Sequence, residues 1–201
     1  MKLETKRLIL RKPKLSDVDD LVNGMNNINV SKWLASVPFP YTKKDGKWYI
    51  NDCIKEWKKK TKTKYAFFIE LKSEKKVIGA LDLLRINSFS KIGETGSWLN
   101  ENYWRNAYMT EAKIVLMEFA FNKLKLNKLK TYTYSNNKAS KGVQQKLGYE
   151  LMGVFKKDER SKATGKFHDT HYYDLFKKDW KKLLPKLKKD LDKKIKMLEN
   201  S

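Results

Sequence analysis

The sequence predicts an α+β fold with α/β-like character: a mixed sheet with helices on both faces. Three observations predict it. Short apolar runs of strand type cluster between residues 65 and 99, separated by turn formers. A strand–helix–strand–helix unit follows between 93 and 147. The 201 residues, 40% hydrophobic and 12% aromatic, hold enough apolar material for one sizeable core.

Leu8 and Leu10 behind Lys6-Arg7 read as a strand over 6–12, stopped by Pro13. Ser16-Asp17-Val18-Asp19 starts a helix, with a hydroxyl cap and acids in the first turn. Residues 26–44 read as a mixed loop holding Trp33, Phe39 and Tyr41. Residues 47–60 read as a helix, with Tyr49, Cys53, Ile54 and Trp57 at helical spacing. Strands at 65–71 and 77–84 flank the turn 72–76 and form a hairpin; 93–99 is the next strand. Residues 108–123 show one apolar helix face through Ala112, Val115, Leu116, Phe119 and Ala120. A strand at 129–134 and a helix at 138–147 follow, with Gly148 placed as a left-handed C-terminal cap. Strands at 150–155 and 167–176 enclose a polar turn, 156–166. Leu183, Leu184, Leu187, Leu191, Ile195 and Leu198 then line one face of a basic helix, restarted at Pro185.

Composition excludes several classes. Cys53 is the one cysteine, which rules out an intrachain disulfide framework and a cysteine zinc cluster. Nothing near it in sequence lowers its pKa, so it reads as core. His168 and His171, three apart in a strand, face opposite ways and suit no shared metal. No apolar run approaches the roughly 20 residues of a membrane-spanning helix. Residues 1–13 carry charge throughout and no apolar core, so a secretory peptide is not expected and the cytoplasm is the expected compartment. The formal charge is +22, which favours anionic partners such as RNA, phosphorylated cofactors or acidic proteins.

Two stretches carry chemistry. In 94–112 a strand ends near Leu99, a loop holds Arg105, and a helix begins near Tyr108. Unpaired N–H groups at such a helix start, with the dipole, make an anion site. In 136–150, Asn137 caps a helix whose first turn holds Ser140. Together these stretches resemble the Gcn5-related N-acetyltransferase (GNAT) superfamily, in its branch that acetylates ribosomal-protein N-termini. The resemblance runs through Leu3–Arg11, an E-x-G-x-W-L…Y-W…T-E-A segment at 94–112, N-x-x-S…K-L-G-Y at 137–149, and Asp169, Tyr173, Leu175 and Trp180. It covers 3–180. The expected organisation is one N-acetyltransferase domain over 1–180 and a basic amphipathic helical extension over 181–201. One position departs from the pattern: Ala107 stands where the family usually has Gly, and its Cβ would crowd a pyrophosphate or forbid a positive φ.

The resemblance implies a mostly antiparallel sheet, splayed in the middle, that takes acetyl-CoA and a primary amine without a metal. It implies that the cofactor lies between the strand ending at Leu99 and the strand at 129–134. Its contacts would be Leu99, Arg105, Asn106, Ala107, Tyr108, Met109, Thr110 and Asn137. Glu94 is the implied general base and Ser140 the donor near the sulfur. Glu111 reads as structural at the positive end of its helix, and Tyr172 and Tyr173 as sheet packing. Trp33, Phe39 and Tyr41 either shape the acceptor pocket or belong to the core, and a polycationic acceptor fits the +22 charge only where Glu94, Glu101 and Asp82 make the pocket locally acidic. The expected acceptor is a protein N-terminus, such as that of a ribosomal protein, or a small amine. A non-catalytic module binding RNA or protein through its lysines is the rival class. Ribosome or RNA contact and a homodimer complete the partner expectations.

Overall fold

The computed structural model describes residues 1–200. Among these, eight strands form one sheet: β1 (Lys2–Glu4), β2 (Leu8–Arg11), β3 (Tyr65–Leu71), β4 (Lys76–Asn87), β5 (Ile92–Leu99), β6 (Lys128–Tyr134), β7 (Glu150–Arg160) and β8 (Phe167–Phe176). Their order is β1-β2-β3-β4-β5-β6-β8-β7, and only β5 and β6 run parallel. The helices are α1 (Val18–Met25), α2 (Ile28–Ser31), α3 (Lys43–Lys58), α4 (Tyr108–Glu118), α5 (Lys138–Lys146) and α6 (Lys177–Glu199). No described helix is long and apolar enough to cross a membrane.

The alternation of β3 shows why both faces of the sheet carry helices. Phe67, Ile69 and Leu71 enter one apolar cluster with residues of α4 and α6. Phe68 enters a second cluster with Leu21, Met25 and Ile50 of α1 and α3. A strand covered on both sides reads as a continuous apolar run. Each such side chain contributes about 1.5–3 kcal/mol on burial.

Several boundaries differ from the sequence reading. The expected 6–12 strand is β2 alone, preceded by β1, which pairs with it antiparallel. Within the expected 26–44 loop lies α2, capped by Asn27, whose side chain accepts from the Asn29 N–H at 2.8 Å. Helix α3 starts at Lys43 because Thr42 and Asp45 form a reciprocal capping box. The expected 108–123 helix is α4 followed by a π-helical turn, Phe119–Lys123. Strand β7 runs to Arg160, leaving a shorter turn than 156–166.

Helix α6 does not restart at Pro185 but runs through it. The buried residues Trp180, Leu187, Leu191 and Ile195 lie on both sides of the proline and belong to the larger core cluster. Their burial outweighs the loss of one helical hydrogen bond. Two expected caps are present. Asn137 accepts from the Ser140 N–H at 3.0 Å, and Gly148 takes φ 83 after α5. A Cβ on Gly148 would also stand 2.7 Å from Leu183 of α6.

Candidate functional site

The site begins where β5 and β6 separate. Their parallel register holds for Ile92–Lys128, Gly93–Leu129 and Glu94–Lys130, and then ends. The Thr131 hydroxyl makes one further link, donating to the Thr95 carbonyl at 2.9 Å. On its other edge β5 stays paired with β4 as far as Leu99. The edge of β5 beyond Thr95 therefore opens into a gap, and a cleft of about 1010 Å³ fills it. Residues from both faces of the sheet line this cleft.

The mouth of the cleft is the start of α4. Arg105 and Ala107 both have positive φ, 65° and 61°. Ala107 thus adopts the left-handed backbone that its Cβ was expected to forbid. Such a conformation costs a non-glycine residue about 1–2 kcal/mol, so the surroundings must enforce it. Arg7 does so: its guanidinium donates to the Asn106 carbonyl at 2.9 Å and to Glu111 Oε2 at 2.8 Å, and lies 4.4 Å over the Tyr108 ring. The Trp104 indole N–H donates to the Leu99 carbonyl at 2.8 Å and ties the loop to the end of β5. The amides of Tyr108, Met109 and Thr110 begin α4 without an intrahelical acceptor, and all three residues line the cleft.

All the catalytic and cofactor-binding residues expected from sequence line this cleft except Asn106. The Asn106 amide turns back to donate to the Trp104 carbonyl at 3.0 Å. Asn137 reaches the cleft, but its side-chain oxygen is engaged as the α5 cap. Glu94 lies in the wall with its side chain 17% exposed, ion-paired to the largely exposed Arg85. The ion pair and the cleft position coexist.

The expected acidic group divides. Glu101 lines the cleft and accepts from Asn27 Nδ2 at 2.7 Å and Asn29 Nδ2 at 3.2 Å. These bonds, Asn27's foremost, hold its carboxyl below the usual range. Asp82 does not line the cleft. It faces Tyr49, whose hydroxyl donates at 3.2 Å, and burial pushes its carboxyl up to about 6. Of the three expected pocket aromatics only Trp33 reaches the cleft. Tyr41 is 5% exposed in the core, and Phe39 is 43% exposed. Cys53 is fully buried, and burial pushes its thiol up to about 12. Among the described residues no group of His, Cys, Asp or Glu is placed to hold a metal ion.

Three features escaped the sequence reading. Arg7 lies 104 residues from its partner Glu111, and no local spacing reveals such a pair. The Tyr134 hydroxyl and Trp98 indole N–H are buried without a hydrogen-bond partner, and both residues line the cleft. Orphaned polar groups in a cleft call for a ligand or water. Lys113 also lines the cleft, 2% exposed.

The comparisons agree with this fold. A family model described as "Acetyltransferase (GNAT) domain" matches residues 7–150. An uncharacterized N-acetyltransferase of Bacillus licheniformis, p20, is 28% identical over 180 residues, covering 89% of this chain and 97% of that protein. The solved structure of RimL, a ribosomal L7/L12 alpha-N-protein acetyltransferase in complex with coenzyme A, superposes with a TM-score of 0.77 at 18% identity. It covers 88% of this chain and 98% of its own. The microcin C7 self-immunity acetyltransferase MccE, in complex with acetyl-CoA and AMP, superposes with a TM-score of 0.75 at 22% identity, covering 86% and 93%.

Proposed function

From the premise that this chain belongs to the GNAT acetyltransferase family and is an N-acetyltransferase, we propose that its cleft joins acetyl-CoA and a protein N-terminal amine in one ternary complex. The observation that carries this reading is the gap between β5 and β6 after Glu94 and Lys130, with the left-handed loop and the start of α4 at its mouth. When bound, acetyl-CoA supplies an activated acyl group.

The residues present fit such a cosubstrate. The α4 amides from Tyr108 to Thr110 and the dipole behind them suit a pyrophosphate. Arg105, Lys138, Lys146 and Lys194 line the same cleft and add positive charge for a polyanion. The open edge of β5 offers backbone N–H and C=O groups to an extended amide chain, and an N–H for a developing oxyanion. Asn137 and Ser140 border the far wall.

The acceptor reaches the opposite side of the gap. Trp98 packs with α1–α3; Glu94, four residues before it on β5, and Tyr134, four residues after Lys130 of the Glu94–Lys130 pair, share its face by strand alternation, and Trp33 lines the same cleft. An amine arrives protonated, and aromatic rings with a carboxylate attract an ammonium. Glu94 then takes the proton, directly or through water. RimL's action on a ribosomal protein N-terminus supports a peptide acceptor. The MccE complex with AMP supports a second reading, a small-molecule amine. The positive φ at Ala107 weighs against a non-catalytic module, because the loop keeps its shape despite the substitution. Contact with ribosomal RNA through the lysine-rich surface, a cytoplasmic location and pairing as a homodimer belong to the same proposal.

Calorimetric titration of acetyl-CoA into the protein tests the donor, with free CoA as control. Mass spectrometry of N-terminal peptides and small amines then tests the acceptor. Saturable binding near one per chain with acetylated peptide is the expected result. No binding at millimolar cofactor overturns the reading.

A further inference from the structure

Lys113 is a buried lysine with no counter-charge. It lies in the second turn of α4, 2% exposed, in the wall of the cleft. Its ammonium donates to Gln144 Oε1 at 3.2 Å, and among the described residues no ion pair involves it. An ammonium removed from water without a carboxylate is costly, and an apolar residue there would avoid the cost. Gln144 lies one turn after Ser140 on α5, so both side chains share a helix face. The Lys113–Gln144 contact therefore brings the ammonium to the α5 face that carries Ser140.

We propose that Lys113 is the cationic proton donor to the thiol that departs during acyl transfer, acting beside Ser140. This rests on reading the cleft as a coenzyme A site. As the new C–N bond forms and the C–S bond breaks, the C–S electron pair stays on sulfur. Sulfur takes the proton of the Lys113 ammonium. An ammonium acceptor first gives one proton through Glu94 to solvent; the proton that leaves nitrogen as the C–N bond forms also goes to Glu94, which returns it to solvent, and Lys113 is reprotonated from solvent, so both residues regain their charge and one proton is released per ammonium acetylated.

Burial supports the assignment by pulling the Lys113 ammonium down to about 8. That is close to the roughly 8.5 of an ordinary thiol, so transfer between them is nearly balanced. The cleft's other cations, Lys32, Arg105, Lys138, Lys146 and Lys194, act in the same direction on sulfur. Its carboxylates, Glu94 and Glu101, are engaged by Arg85 and by Asn27 and Asn29. The phenols Tyr103, Tyr108, Tyr132 and Tyr134 also line the cleft.

The test needs no acceptor. Free CoA is titrated into wild type, Lys113→Met and Lys113→Gln by calorimetry, and the thiolate absorbance of the bound CoA is followed against pH. In wild type the bound thiol should ionise about one pH unit below free CoA. In both variants that shift should shrink to what the remaining cations supply, while CoA still binds. With any acceptor found, kcat should fall about tenfold or more, with the acetyl-CoA KM little changed. Equal thiol titration in wild type and variants, with CoA bound to all, overturns the role of Lys113. Absence of CoA binding to wild type overturns instead the reading of the cleft, and the proposal with it. Should Lys113→Met fail to fold, Lys113→Gln, which keeps a hydrogen bond to Gln144, carries the same comparison.

Discussion

Arg7 and Glu111 are locked together at the mouth of the cleft. The Arg7 backbone N–H donates to Glu111 Oε1 at 3.1 Å, and its Nη2 lies 2.7 Å from Glu111 Oε2. Glu111 is 3% exposed. The pair joins the turn between β1 and β2 to the first turn of α4, and the same guanidinium holds the Asn106 carbonyl. The structural role expected for Glu111 is thereby specific: it fixes the arginine that fixes the loop.

Breaking this pair should harm both stability and binding. Arg7→Met leaves a buried carboxylate alone, which costs about 3–5 kcal/mol. The 105–107 loop loses its brace, and affinity for CoA should fall about tenfold or more. Denaturant unfolding and calorimetry read the two effects. Glu111→Gln keeps an acceptor oxygen and should cost less than Arg7→Met on both. A variant with normal affinity would show that the loop holds its shape without Arg7.

Ala107→Gly should improve the protein. Glycine adopts φ 61 without the penalty that alanine carries there. The expected gain is about 1 kcal/mol in unfolding free energy, with tighter CoA binding as the Cβ leaves the mouth. Both are read by thermal melting and calorimetry. Weaker binding would mean that the Cβ packs usefully against the cosubstrate.

Much of this architecture was legible locally. The Asn137 cap, the Gly148 turn and the strand–loop–helix joint at 94–112 depend on neighbouring residues, and spacing shows them. The capping box of Thr42 and Asp45 was equally local, but the expected helix began four residues later than Lys43. What escaped depends on distant contacts. A lysine beside the apolar stripe of α4 reads as solvent-facing; α5 must pack there before Lys113 is buried. Pro185 reads as a break until the core takes up Trp180 on one side and Leu187 on the other. The left-handed Ala107 needs Arg7, a residue on the far side of the sequence.

Glu94→Gln should separate chemistry from binding. A general base contributes about 10²–10⁴ in rate, so turnover should fall by about 100-fold or more. CoA affinity should stay within about twofold, because Glu94 faces the acceptor side of the gap. Thiol release from acetyl-CoA in the presence of an accepted amine measures the rate. Arg85→Met is the control. Its ion pair is largely solvent-exposed on the arginine side and should matter little to stability. Normal turnover in Glu94→Gln would pass the role of base to another group.

Lys113 makes stability depend on pH in a defined direction. Its ammonium titrates near 8 when folded and near 10.5 when unfolded. Below pH 8 both states are charged, and the folded state bears the full cost of burial. Between 8 and 10.5 the folded state gives up its proton first, so stability from this group rises with pH. Lys113→Met should therefore be more stable than wild type at neutral pH, by about 1–2 kcal/mol once the orphaned Gln144 is counted. Above pH 10 the order should reverse, because neutral Lys113 still bonds Gln144. Urea midpoints of the two proteins across this range decide it; a constant difference would show that the lysine is not buried as charged.

The C-terminal helix should prove inseparable from the domain, although the family pattern ends at Trp180. Leu187, Leu191 and Ile195 are buried in the same cluster as Leu8, Phe67 and Phe121. Lys188 reaches Glu118 at 2.6 Å and Lys6 reaches Glu199 at 2.6 Å, but both pairs are half-exposed and contribute little. The apolar face carries the docking. Leu187→Ala should cost about 2–4 kcal/mol, and Lys188→Ala less than about 0.5 kcal/mol. Deleting 181–201 removes all three buried side chains and uncovers Trp180 and Phe121, whose rings lie 5.1 Å apart. The truncated chain should lose its cooperative unfolding transition. Because Lys194 lines the cleft from the same helix, Leu187→Ala should weaken CoA binding more at low salt than at high salt, as the charge is displaced. A truncated protein that melts like the full chain would return α6 to the status of an appendage.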